Sequence, residues 1–204
     1  GERQIEGFGR VVFLQEAGRK WSPGSEPRPE RIETPTGLPP KLLREMEQRL
    51  LRDAVDARVL EVAGDLASSA QSPIPTRSLL GRLRVPLRLP PAQALDQLRQ
   101  WLDGGLGGLR VPARRQLERC RIRTSQTHRQ SLADWLRTRL SNQPGLDDLL
   151  NYTRLAQDHH FVSTNSAQGC LETPAENDRV RALLIDALFA AMARRRDQDP
   201  RGAS

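Results

Sequence analysis

The stretch PKLLREMEQRLLRDAVDARVLEVAGDLASS, residues 40–69, decides the fold. Its apolar residues Leu42, Leu43, Met46, Leu50, Ala54, Val59, Val62, Ala63 and Leu66 recur mostly at three- and four-residue intervals. That spacing gathers side chains on one side of an α-helix. Pro39 and Pro40 open the stretch, and proline suits a first helical turn because its missing N–H has no partner there. The spacing predicts one helix from about Pro40 to Ser69, long for a globular domain. Its charges are mixed, as in Arg44, Glu45, Glu47, Arg49, Arg52, Asp53, Asp56, Arg58 and Glu61. This is the pattern of a solvated face laced with i,i+3 and i,i+4 pairs.

Downstream the same period returns in shorter pieces. Thr76 can cap a helix with Leu79, Leu80 and Leu83 on one face. After Pro86, Pro90 and Pro91, a helix carries Leu95, Leu98, Trp101 and Leu102. Gly104-Gly105-Leu106-Gly107-Gly108 breaks the pattern, and Pro112 begins another helix through Leu117. Arg121 to Gln126 has weak preference either way. Ser131 or a neighbour starts a helix with Leu132, Trp135, Leu136 and Leu140. Pro144-Gly145 separates it from Leu146, Leu149, Leu150, Tyr152 and Leu155, and 159–173 reads as a loop. Thr173-Pro174-Ala175-Glu176 opens a last helix with Val180, Leu183, Leu184, Leu188 and Met192. It ends in Arg194-Arg195-Arg196, cations that suit a helix C-terminus. The body, 40–198, is therefore expected to be all-α, a helical bundle of six or seven helices. With no βαβ alternation, dinucleotide and nucleoside-triphosphate folds are disfavoured.

Two segments precede the bundle. Residues 22–39 are rich in proline, glycine, serine and charge, including Pro23, Pro27, Pro29 and Pro35. No packed core comes from that composition, so it reads as a proline-rich linker or extended arm. In residues 1–21, Arg10-Val11-Val12-Phe13-Leu14 reads as a short β-strand. A lone strand cannot satisfy its own backbone groups. Either residues 1–21 pair with another chain or the chain is a piece of a longer polypeptide, and the second is the expectation. Trp21 lies outside any periodic segment; it either packs the arm or stacks on a base.

Composition bounds the rest. The chain has 204 residues, 37% hydrophobic and 4% aromatic, enough for one domain with a real core but poor material for an aromatic-rich sandwich. No run approaches the roughly 18 apolar residues of a membrane helix, and no signal peptide is read. Two cysteines fifty residues apart make neither a disulfide framework nor a zinc site. A cytoplasmic protein is expected.

The net charge is +7, from 32 basic and 25 acidic residues. Lys20 and Lys41 are the only lysines, so the rest are arginines. Arginine offers phosphate a planar, bidentate fork and stacks on bases, although a GC-rich genome also enriches it. Position is more informative. Arg110, Arg114, Arg115, Arg119, Arg121, Arg123, Arg129, Arg137 and Arg139 are opposed by Glu118 and Asp134 alone, a local +7. Arg77, Arg82, Arg84 and Arg88 occur with no acid between them. A concentrated, unopposed stripe is the footprint of a phosphate backbone.

Catalytic signatures are scarce. There is no phosphate-loop sequence and no Gly-x-Ser-x-Gly elbow, and Gly7-Phe8-Gly9 is too short for a dinucleotide fingerprint. Asp158-His159-His160 matches three letters of a metal-dependent phosphoesterase motif without the rest of that fold. His159, His160, Cys120 and Cys170 lack finger spacing. No catalytic residue, metal or cofactor is assigned.

Glu2-Arg3 followed by Glu6-Gly7-Phe8-Gly9-Arg10-Val11 resembles the glycine-rich segment near the C-terminal end of RAMP domains in CRISPR effector complexes, most nearly those of type III-D systems. Glycines let a backbone approach RNA and offer N–H groups to phosphate. The resemblance implies guide-RNA contacts from Gly7, Phe8, Gly9 and Arg10. The helical body is similar to the arginine-rich small subunit of such complexes, which implies a non-catalytic partner of guide RNA, target nucleic acid and other effector-complex subunits. On that expectation the nucleic-acid-binding residues are Gly7, Phe8, Gly9, Arg10, Arg77, Arg82, Arg84, Arg88, Arg110, Arg114, Arg115, Arg119, Arg121 and Arg123. The alternatives are a helical DNA-binding regulator and an interaction scaffold for an acidic partner.

Overall fold

The computed structural model describes residues 39–104, 107–124, 128–141 and 173–198. The chain divides into two units, Gly1–Leu38 and Pro39–Ser204, and all described residues belong to the second. The predicted strand at 10–14, the linker, the helix at 146–155 and the loop with Asp158, His159 and His160 lie outside the described residues.

The fold is all-α. Six helices are described: α1 (Pro40–Ser69), α2 (Arg77–Arg84), α3 (Pro91–Asp103), α4 (Val111–Arg119), α5 (Leu132–Leu140) and α6 (Pro174–Gln198). A 3₁₀ turn, Pro86–Arg88, joins α2 to α3. Two short strands, β1 (Arg121–Arg123) and β2 (Arg129–Ser131), pair antiparallel between α4 and α5. The proline and capping signals act as read. Thr76 Oγ1 accepts from Leu79 N at 3.4 Å, and Ser131 Oγ accepts from Asp134 N at 3.0 Å. Each satisfies one of the amide N–H groups a helix start leaves without an internal partner. Gly104 ends α3 in the left-handed region at φ 86°, where glycine pays no steric penalty.

Helix α6 is the axis of the core. Val180, Leu184, Ile185, Leu188, Phe189 and Met192 are buried, and α1, α2, α3 and α5 all pack on it. A helix that is apolar on several sides belongs inside. It runs parallel to α1, since Glu176 and Arg179 meet Arg52 and Asp56 while Arg195 reaches Ala67 and Ala70. Both helices therefore end together, and Arg195 serves its neighbour. Its guanidinium donates to Ala67 O at 2.5 Å and Ala70 O at 2.7 Å, a second donor for Ala67 O, which also accepts from Ala70 N at 3.2 Å. The terminal arginine run thus caps the adjacent helix as well as suiting its own dipole.

One expectation needs correction, and one stretch left open is settled. The apolar residues read as one face of α1 belong to two. Leu51, Val55, Val59, Val62 and Leu66 are buried, whereas Leu42, Met46 and Leu50 are 42%, 47% and 57% exposed. The periodicity slid across the helix at Leu50-Leu51 because consecutive leucines point about 100° apart. The stretch at 121–123 is a strand, held by distant partners. Gln71 N donates to Arg121 O at 2.8 Å, and Leu132 N donates to Cys120 O at 2.8 Å. Three residues per strand carry too little local preference to announce themselves.

Candidate nucleic-acid interface

The stripe of arginines separates by partner once the chain is folded. Arg84 is engaged within the protein. Its Nε and Nη2 donate to the two Asp186 oxygens at 2.7 and 2.9 Å. That bidentate bond raises its pKa above the usual arginine value, with burial opposing. Arg82 lies over the Trp101 ring, 5.5 Å from its centroid, and reaches Gly107 O at 3.4 Å. Arg77 pairs with Asp197 at 3.5 Å. Arg114 Nε donates to Leu109 O at 2.9 Å, and its guanidinium lies where a Cβ on Gly104 would stand, 2.6 Å away. Arg137 pairs with Asp134 at 3.1 Å, and Arg139 lies 5.9 Å from the Trp135 ring centroid.

The rest gather on one short region. Leu117 is buried under α4, so Arg115 and Arg119, two positions either side of it, project from the opposite face. Both are exposed, as is Arg110 at the N-cap. Arg119 leads through buried Cys120 into β1. There Ile122 is buried while Arg121 and Arg123 are exposed, the alternation that strand geometry demands. Across the hairpin Arg123 stands in register with Arg129, itself exposed. Arg110, Arg115, Arg119, Arg121, Arg123 and Arg129 make no ion pair within the described residues. The only acid on α4 is the exposed Glu118. Arg88 is likewise exposed and unpaired, on the 3₁₀ turn.

Like charges directly opposite in a sheet destabilise it. The facing pair Arg123 and Arg129 is therefore a local cost to the hairpin. Arg129 belongs to the sequence stripe but not to the expected binding residues; the register sets it opposite Arg123. Gly7, Phe8, Gly9 and Arg10 lie outside the described residues.

The scaffold under this surface is firm. Ser69 Oγ accepts from Arg123 N at 3.1 Å, tying β1 to the end of α1. Cys120 is buried, and burial pushes its thiol up to about 11, with the Arg195 charge pulling the other way. It is a packing residue rather than a nucleophile at neutral pH. Trp135 is fully buried and Trp101 is half-buried beneath Arg82, so both serve packing.

A second polar region lies between α1 and the start of α6, a cleft of about 630 Å³. Its charges cancel. Arg179 donates to Asp56 at 2.8 and 3.1 Å and to Glu176 at 2.8 Å, and Arg52 stands 3.5 Å from Glu176. Arg179 is raised by these bonds, that to Asp56 first, against burial. This is an interlocked ion network in place of an unopposed field. No group of three or more metal-ligating side chains occurs among the described residues. No helix among them is long and apolar enough to cross a membrane.

No family model, curated protein or solved structure matches the chain.

Proposed function

We propose that the helical unit binds nucleic acid through its phosphate backbone and carries no chemistry of its own. The observation that supports this is the patch of Arg110, Arg115, Arg119, Arg121, Arg123 and Arg129. It is exposed, without acidic partners among the described residues, and includes two arginines in register across a hairpin. Contacts of this kind set orientation and affinity and tolerate any sequence. The narrower proposal places the unit in a type III CRISPR effector complex, on guide RNA and the guide–target duplex beside other subunits. It rests on the resemblance carried by Gly7, Phe8, Gly9 and Arg10.

The test is a salt titration. Six phosphate contacts give a log–log slope of about −5 on duplex and about −4 on a single strand. The triple variant Arg115→Gln, Arg119→Gln, Arg123→Gln should lower that slope by two to three, on the rule of roughly one contact per slope unit. Arg137→Gln, which removes an arginine already paired with Asp134, should leave it unchanged. A slope near zero in the parent protein, or capture of a purified acidic protein but not RNA or DNA, would replace the nucleic-acid reading with a protein-docking one.

A further inference from the structure

The exposed side of α1 is itself patterned. Leu43, Met46, Leu50, Asp53, Ala57, Leu60 and Gly64 follow one another at alternating spacings of three and four, the seam of a coiled coil. The buried residues Leu51, Val55, Val59 and Val62 lie on the opposite side. Met46, Leu50 and Leu60 are 47%, 57% and 60% exposed, and a Cβ at Gly64 would meet nothing. Within the described residues α1 packs on α6 and β1, so the seam runs along an outer helix.

We propose that this seam pairs, antiparallel, with the same seam of a second copy of the chain. Charge selects both the occupant and the register. In a parallel pair Asp53 would face the partner's Asp53, and Asp56 would flank the partner's Glu61. Turning one helix round and setting Leu43 against the partner's Leu60 brings Met46 onto the partner's Ala57, large against small. In that register the flanking positions match Arg49 with the partner's Asp56, and by symmetry Asp56 with the partner's Arg49. Asp56 already holds Arg179, but a carboxylate accepts about four hydrogen bonds. Sliding by one heptad instead sets Asp56 against the partner's Asp56. One arrangement satisfies both the apolar layers and the flanking charges.

The contact is narrow. The paired stretch, residues 42–61, is about 30 Å long at 1.5 Å per residue, and one helix per partner falls short of the roughly 800 Å² per side of a stable complex. Asp53 facing the partner's Leu50 weakens the central layers further. The dimer is therefore a weak one that forms as concentration rises. It needs no nucleic acid, so it stands or falls separately from the arginine surface.

Sedimentation velocity without nucleic acid, from about 10 μM to 1 mM, a range that covers weak interfaces, tests it. The parent protein should pass from monomer toward dimer across that range. Leu50→Glu and Leu60→Glu, at exposed positions that leave the core intact, should stay monomeric with unchanged circular dichroism. In a Cys170→Ser background, the double variant Met46→Cys, Ala57→Cys should form an intermolecular disulfide and Met46→Cys alone should not. A parent protein monomeric at 1 mM, a dimer indifferent to Leu50→Glu, or cross-linking by Met46→Cys alone would each overturn the proposal.

Discussion

Replacing Arg129 with glutamate should make the protein more stable and a poorer ligand binder at once. Arg123 and Arg129 face each other across β1 and β2, with Cα atoms about 4.5–5.5 Å apart by antiparallel geometry. Two exposed charges about 6 Å apart in water repel by roughly 0.7 kcal/mol. Reversing one sign exchanges that repulsion for an equal attraction, a change of about 1.4 kcal/mol before screening. A Debye length of about 8 Å at physiological salt cuts this to about 0.7 kcal/mol, inside the range measured for cross-strand pairs. For a chain of this size that is about 2 °C in Tm, more at low salt and vanishing near 1 M. Arg129→Gln, which removes the repulsion and adds no attraction, should give about half the shift.

Binding should move the other way. Losing one phosphate contact lowers the salt exponent by about 0.7 on a single strand, which is roughly eightfold in affinity over the twentyfold interval from 1 M to 50 mM salt. Differential scanning fluorimetry on the unliganded protein and fluorescence anisotropy on a labelled RNA read the two effects separately. A side chain present only for solubility would show neither. An Arg129→Glu variant that melts lower than the parent, or that binds RNA with the parent's salt slope, would refute the reasoning. Either result would mean that the facing pair is relieved by something in the protein or takes no part in binding.

Other perturbations distinguish structural arginines from the surface patch. Arg84→Met removes a bidentate but half-exposed pair with Asp186 and should cost about 1 kcal/mol, seen as a loss of about 2–4 °C in Tm with RNA affinity within twofold of the parent. Arg195→Ala leaves two carbonyls at the end of α1 without their charged donor; urea unfolding should show a loss of about 1.5–3 kcal/mol, against little for Arg194→Ala at the exposed neighbouring position. The Cys120 thiol is raised from 9.0 to about 11 in the fold, so the fold favours the protonated form. Its contribution is complete below pH 9 and fades as pH rises through about 11. Stability should therefore fall between about pH 9 and 11 by an increment that Cys120→Ala lacks. Equal pH slopes for the two proteins would remove the thiol from the account.

Most helices were legible because each carried its own punctuation. Thr76, Pro91, Ser131 and Pro174 stand at the starts their side chains suit, and local signals need no tertiary knowledge. The hairpin was not legible, because three-residue strands are specified by what they touch. Arg121 meets Gln71 and Arg123 meets Ser69, fifty residues or so upstream. The two faces of α1 merged for a related reason. Leu42, Met46 and Leu50 fit a helical period as well as Leu51, Val55 and Val59 do, and only the position of α6 says which is inside.

The surface patch carries the same lesson in electrostatics. Counting acids near an arginine in sequence finds those within a helical turn, whereas the fold also supplies acids from far away. Arg84 finds Asp186, Arg77 finds Asp197 and Arg179 finds Asp56, each more than 100 positions off. Arg77 and Arg84 on α2 and Arg179 on α6 are the ones neutralised in this way. Those on α4 and the hairpin were not, because their helix is short, its inner face is spent on Leu117, and the strand alternation turns Arg121 and Arg123 outward around Ile122. What survives is smaller than the stripe from Arg77 to Arg139, and better defined. A general arginine enrichment would leave charges scattered wherever the chain is exposed. It gives no reason for two of them to stand in register across a three-residue hairpin, where like charges oppose pairing.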